Sequence, residues 1–276
     1  MKNIVKYTFA LSVFLATFST SCDKNDDIPV FNAENDIALG DIINNGIAED
    51  GSFNLLSTDN YPISYAYIQS MLEEILGSEE IVNREEFNWT ITIIDDDQVL
   101  NAFVTPGGHL YVYTGLIYFL DKEDDLAGVL AHQVAQADLR HVSKNLQREY
   151  GVSSLLSISK GGQSSDLDRI IGQLSGTGVE FEFSRDNELE ADDFSVRYLS
   201  STSYACDGAA DFFQKLLANE EQRQPEFLMS HPSPENRVEK INARALELGC
   251  DTSVDDNSVL RYQNFRNTFI KDKILF

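Results

Sequence analysis

The stretch "LAHQVAQADLRH", residues 130 to 141, decides how this chain is read. On a helix, positions i and i+4 lie one above the other on a single face. Two histidines in that relation can grip one metal ion, and a glutamate directly after the first can deprotonate a metal-bound water. Here His132 holds the first place, Gln133 stands at the glutamate position and Gln136 at the second histidine position. A primary amide cannot accept a proton at neutral pH, so Gln133 cannot be a general base. An amide oxygen is also a weak ligand for zinc beside an imidazole. Taken alone, a single histidine on a partly apolar helix is more often a packed core residue than a ligand.

Working outward, Leu126, Val129, Leu130, Val134 and Ala137 keep a helical period and predict one helix from about Lys122 to Arg148. On such a continuous helix His141 would lie about 13.5 Å along the axis from His132 and half a turn around it. The two could not share a metal. Upstream, "NYPISYAYIQSMLEEILGSEE" reads as a helix, with Tyr65, Ile68, Met71, Leu72 and Ile75 on one face. In "FNWTITII", Phe87, Trp89, Ile91 and Ile93 alternate as in a strand. Pro106-Gly107-Gly108 marks a turn into a second strand, "HLYVYT". His109 belongs to that strand and is given no metal role.

Residues 151 to 180 are rich in Ser and Gly, with one short helical patch at "LDRIIGQL". Further helices are expected at "DNELEADDFSVRYL", at "DGAADFFQKLLANEE" and after the loop "SHPSPEN", the last capped by Gly249. The tail from Asp251 is assigned no element.

Four blocks occur in order: "NAFVTPGGHLYVYTGL", "DDLAGVLAHQVAQADLRH", "SRDNELEADDFSVRYL" and "SHPSPENRVEKI". Together they closely resemble the zinc metallopeptidases of the HtpX and CAAX-prenyl-protease type (peptidase family M48, gluzincins). The resemblance runs from about residue 60 to residue 250. It implies a zincin-like α+β fold, mostly helical, with a small β-sheet and with the helices carrying His132 and Glu188 packed face to face beside it. It implies zinc as cofactor, with His132 as the first histidine ligand and Glu188 as the carboxylate ligand from a second helix. Asp192 matches the carboxylate that orients a ligand histidine, and His231 matches a histidine near the metal that assists the transition state. Arg185 and Arg237 match arginines of the structural blocks, and His141 the histidine of the "RH" pair. Gln133 and Gln136 depart from the pattern and make this a degenerate member, its zinc lost or weak.

The expected function is a pseudopeptidase that keeps a cleft for a peptide or an unfolded envelope protein, bound as a strand added to the sheet edge. The alternative is an active zinc endopeptidase with a rearranged site of His132, Glu188 and His231, formed if the "SHPSPEN" loop folds inward. A purely structural envelope domain is the third reading.

Domain organisation follows from the ends of the chain. Lys2 and Lys6 precede a short apolar run from Tyr7 to Phe18, and small residues then lead to Cys22. The segment resembles a bacterial lipoprotein signal over residues 1–21, with Cys22 lipidated as the membrane anchor, although Ser19 stands where Leu is usual. Cleavage after Ser21 without lipidation is the rival. Residues 22–37 read as an acidic tether and residues 38–276 as the metallopeptidase-like domain. The expected location is the bacterial cell envelope. The 276 residues are 42% hydrophobic, enough for a sizeable core. A formal net charge of -24 opposes binding to nucleic acid. In an oxidising compartment a disulfide between Cys206 and Cys250 is expected, with two buried thiols as the alternative.

Overall fold

The computed structural model describes residues 31–162, 165–176, 182–218, 226–232 and 236–274; residues 1–21, read as a signal, and Cys22 lie outside them. Its centre is α4 (Glu123–Asp138), every residue of which is buried. Small residues let neighbours close in on it. A Cβ added at Gly128 would lie 2.2 Å from the backbone nitrogen of Ala209, so α9 (Gly208–Ala218) packs backbone against backbone there. Helix α8 (Arg185–Leu199) runs along another face of α4. Its N-terminus is capped by Ser184, whose hydroxyl accepts from Asn187 N at 3.1 Å.

The sheet has three strands in the order β1-β3-β2: β1 (Thr90–Ile94), β2 (Ala102–Val104) and β3 (His109–Tyr113). Strand β3 pairs parallel with β1 (Thr90 opposite His109) and antiparallel with β2 (Ala102 opposite Val112). The "HLYVY" strand is therefore internal and buried on both faces, and β2 is the edge that touches α4. Helix α2 (Pro62–Leu76) packs on α4 and β1 and buries Ile68, Met71, Leu72 and Ile75, the face its periodicity predicts. Helix α3 (Thr114–Phe119) links the sheet to α4. Gly107 and Gly108 turn the chain into β3 with φ of 78° and 97°, which favour glycine.

Several expectations are corrected. The predicted helix over 122–148 is two helices, α4 and α5 (His141–Tyr150), separated at Arg140, which adopts a left-handed conformation with φ 60°. That conformation costs a non-glycine residue roughly 1–2 kcal/mol. The offset is tertiary: the Arg140 guanidinium pairs with buried Asp36 and donates to Phe31 O at 2.7 Å. Helix α1 (Ala33–Glu49) begins inside the segment read as tether. Asn32 and Asn35 form a reciprocal capping box, each side chain accepting from the other's backbone N–H at 3.0–3.1 Å, and Phe31 is buried.

The Ser- and Gly-rich segment contains α6 (Val152–Ser159) besides the expected α7 (Asp166–Ser175), and both pack on α1. The tail contains α12 (Asp256–Ile274), which packs on α2 and α4 through buried Tyr262 and Phe269. Helix α10 (Glu226–Ser230) and α11 (Arg237–Leu248) complete the fold, α11 closing at Gly249 in the left-handed conformation. Cys206 and Cys250 are joined in a disulfide, their Cα atoms 6.3 Å apart. Among the described residues no helix is long and apolar enough to cross a membrane.

Candidate metal centre

Three elements bring the predicted residues together. Helix α4 supplies His132, Gln133 and Gln136, which its buried course carries into the interior. Helix α8 supplies Glu188 and Asp192, four residues apart and so on one face. His231 follows α10 directly. Its backbone N–H donates to Phe227 O at 2.8 Å, and its ring is stacked between Phe227 and Phe183, with centroids 4.4 and 4.9 Å away. His231 thus faces inward, and donor atoms of His132, Glu188 and His231 all lie within 4.8 Å of one another. All three side chains are buried, at 0–1% exposure.

The hydrogen bonds orient the donors. His132 Nδ1–H donates to Asp192 Oδ1 at 3.0 Å, which leaves Nε2 facing Glu188 and His231. Asp192 is held in turn by Arg237, with Nε to Oδ2 at 2.6 Å and Nη2 to Oδ1 at 2.7 Å. Arg237 Nη2 also lies 2.9 Å from Glu188 Oε2, and the guanidinium sits 3.5 Å over the Phe213 ring. Glu188 Oε1 accepts from His231 Nδ1 at 2.9 Å and from Gln136 Nε2 at 2.7 Å.

Burial by itself would raise the Glu188 pKa. The opposing charges of His231, Arg237 and His132 outweigh it and hold the carboxyl at about 2. Burial pushes His231 down, with Glu188 pulling the other way. Burial would lower Arg237, but Asp192 and Glu188 more than reverse it, so the guanidinium stays charged.

Two imidazoles and a carboxylate are a zinc donor set. Glu188 Oε2 faces His132 Nε2 at 3.6 Å with Arg237 Nη2 as its ion-pair partner, and Oε1 faces His231, so both carboxylate oxygens border the trio. His132, Glu188 and His231 would therefore hold the ion, and the ion would supply Lewis acidity and an acidified water. Gln133 stands at the position expected for that water's proton acceptor. Gln133 Nε2 lies 3.3 Å from His231 Nε2 and offers only an amide. Among the described residues, the carboxylates bonded to His132, Gln133 or His231 are Glu188 and Asp192, both already engaged.

Gln136 lines the centre, but its nitrogen faces Glu188 and its oxygen faces His141 Nδ1 at 2.9 Å. The break at Arg140 makes this contact, so the continuous-helix placement of His141 fails, while His141 remains outside the donor trio. Glu190 faces away from the centre and pairs with His141 Nε2 at 2.9 Å. Sequence reasoning named Arg237 but missed that it is a fully buried cation at the centre. The signal was its place six residues after His231, where the inward loop must carry it. His109 stands apart, bonded to Thr90 and Asp41.

A buried helix pair beside a small sheet, presenting His, Glu and His to one point, defines a zincin-type metallopeptidase scaffold. The sequence pattern of peptidase family M48 matches residues 62–245, and the chain belongs to that family. It is 26% identical over 200 residues to the beta-barrel assembly-enhancing protease of Escherichia coli (strain K12), covering 68% of this chain and 40% of that protein. It is 29% identical over 183 residues to the metalloprotease LoiP of the same organism, covering 65% and 70%. To the mitochondrial metalloendopeptidase OMA1 of Schizosaccharomyces pombe it is 29% identical over 188 residues, covering 66% and 53%. The matched region thus spans about two fifths to seven tenths of these relatives' length.

Proposed function

We propose that this chain is an exported, lipid-anchored member of the family that has lost peptide hydrolysis and retains a role in binding peptides or unfolded envelope proteins. The observation that carries the loss is Gln133: an amide stands where a proton acceptor is required, and no other carboxylate among the described residues replaces it. Gln136 adds to it by turning its nitrogen, not its oxygen, toward the centre. Zinc, if taken up, is held by His132, Glu188 and His231, and weakly. Export and anchoring at Cys22 rest on the N-terminal sequence, and similarity to a beta-barrel assembly-enhancing protease is consistent with an envelope setting. The acidic charge argues against nucleic acid as partner.

Because β3 is internal, an added peptide strand would have to use the outer edge of β1, part of which is taken by Leu55 and Leu56 (Leu56 N donates to Ile93 O at 3.0 Å), or that of β2. Just before that edge the Leu100 backbone is engaged by α10, Phe227 N donating to Leu100 O at 3.0 Å and Glu226 Oε2 accepting from Leu100 N at 3.2 Å. Peptide binding therefore competes with α10 for this stretch.

The test is cleavage of unfolded protein by the full chain in detergent, against Gln133→Glu combined with Gln136→His. Silence in the wild type and activity in the double variant fit the proposal. Chelator-sensitive cleavage by the wild type that His132→Ala abolishes would overturn it. The converging trio favours that second reading, an active zinc endopeptidase on His132, Glu188 and His231.

A further inference from the structure

The Gln136 amide has two ends, and its neighbours decide which end faces the centre. Glu188 is an ionised carboxylate, held by Arg237 and His231, and acts only as an acceptor. At 2.7 Å from its Oε1 the amide must present nitrogen, since an oxygen there would face another oxygen. The amide oxygen is then turned to His141 Nδ1, 2.9 Å away, which donates to it in the Nδ1–H tautomer. The far side of the same ring, Nε2, lies 2.9 Å from Glu190, a half-exposed carboxylate. One line of close polar contacts therefore runs from the surface to the metal donors: Glu190, His141, Gln136, Glu188. It exists because the helix breaks at Arg140 and restarts at His141.

We propose that His141 is a positioning residue that, by donating from Nδ1, fixes the Gln136 amide with its nitrogen on Glu188, so that Gln136 competes with a divalent cation for this centre instead of ligating it. A cation reaching Glu188 must displace an N–H that already occupies Oε1. The same N–H lies 3.3 Å from His132 Nε2, the other donor it would crowd. Removing the amide therefore tightens metal binding, whereas removing a true ligand would loosen it. The inference rests on the reading of His132, Glu188 and His231 as the metal donors.

The experiment is a zinc titration of the full chain against a competing chelator dye, repeated with Co²⁺ for its absorption spectrum. The chains compared are wild type, Gln136→Leu, His141→Phe, Glu190→Gln and His132→Ala. Gln136→Leu, which can neither donate nor ligate, is expected to bind zinc about tenfold more tightly, the equivalent of one hydrogen bond to a charged group no longer displaced. His141→Phe frees the amide to turn and shifts affinity in the same direction, whereas Glu190→Gln, whose amide can donate to Nε2, keeps the Nδ1–H contact and leaves affinity unchanged. Gln136→Leu binding more weakly than wild type would make Gln136 a ligand and overturn the proposal. Equal affinities in wild type, Gln136→Leu and His141→Phe, or no binding in any of them, would overturn it too. If His141→Phe fails to fold, the sign of the Gln136→Leu change decides alone. Unchanged affinity in His132→Ala would remove the donor assignment itself. Proteolysis by the wild type would sink the pseudopeptidase reading and leave the order of affinities standing.

Discussion

His109 and His132 are both buried, and both have an aspartate within hydrogen-bond distance of one ring nitrogen, yet only one belongs to a donor set. At His109 each nitrogen is consumed: Nδ1 by Thr90 Oγ1 at 2.8 Å and Nε2 by Asp41 Oδ1 at 3.0 Å. The ring ties α1 to β1 and β3, and Asp41 is half exposed. At His132 the aspartate takes only Nδ1, and Nε2 points at His231 and Glu188. A metal-type site thus needs a lone pair left over and other donors aimed at the same point, and a histidine beside a carboxylate does not make one by itself.

The largest expected effect restores chemistry on one side of this comparison. Gln133→Glu with Gln136→His should raise chelator-sensitive cleavage of an unfolded substrate from background by about 10²- to 10⁴-fold, the usual contribution of a positioned acid or base. No change around His109 should do so. Next is the charge that only the His132 cluster contains. Arg237→Met leaves Glu188 and Asp192 buried without their cation and should cost about 3–5 kcal/mol in urea unfolding. A loss below about 1 kcal/mol would mean that the centre does not depend on an internal cation.

Metal content sharpens the contrast further. Whatever zinc the chain takes up under saturating supply should disappear from His132→Ala and persist in His109→Ala, as read by elemental mass spectrometry. The smallest effect lies on the His109 side. Burial lowers the His109 pKa from its ordinary 6.5 more than the Asp41 hydrogen bond and charge raise it. The folded state therefore favours the neutral ring, and the unfolded state takes up a proton first as pH falls. This contribution is present above pH 6.5 and is lost as pH drops from there through the lower folded-state pKa. His109→Phe should flatten the fall in stability as pH drops below 6.5, read by urea unfolding across that range. An unchanged slope would remove the argument that His109 is held neutral.

How much of this was readable in advance differs from element to element. The face of α2 was readable because helical period and burial coincide along one short segment. The break at Arg140 was not, because the apolar period continues across it and the left-handed residue is compensated by Asp36 and Phe31, far away in sequence. The start of α1 was missed because an acidic, polar composition hid an Asn32–Asn35 capping box. At the centre, His132, Glu188, Asp192 and His231 were readable from motif and resemblance. The link between Gln136 and His141 was not, since it depends on the helix break.

By itself the sequence determined the family pattern and that position 133 carries no general base, because an amide is no base in any fold. Only the tertiary structure decided that His231 turns inward, that Arg237 supplies the buried positive charge, and that Gln136 presents nitrogen to the metal donors. These are outcomes of packing between segments 40 to 100 residues apart, as the separations of Gln136 and His132 from their partners show. Local periodicity carries no record of such contacts, which are fixed only when the core closes around them.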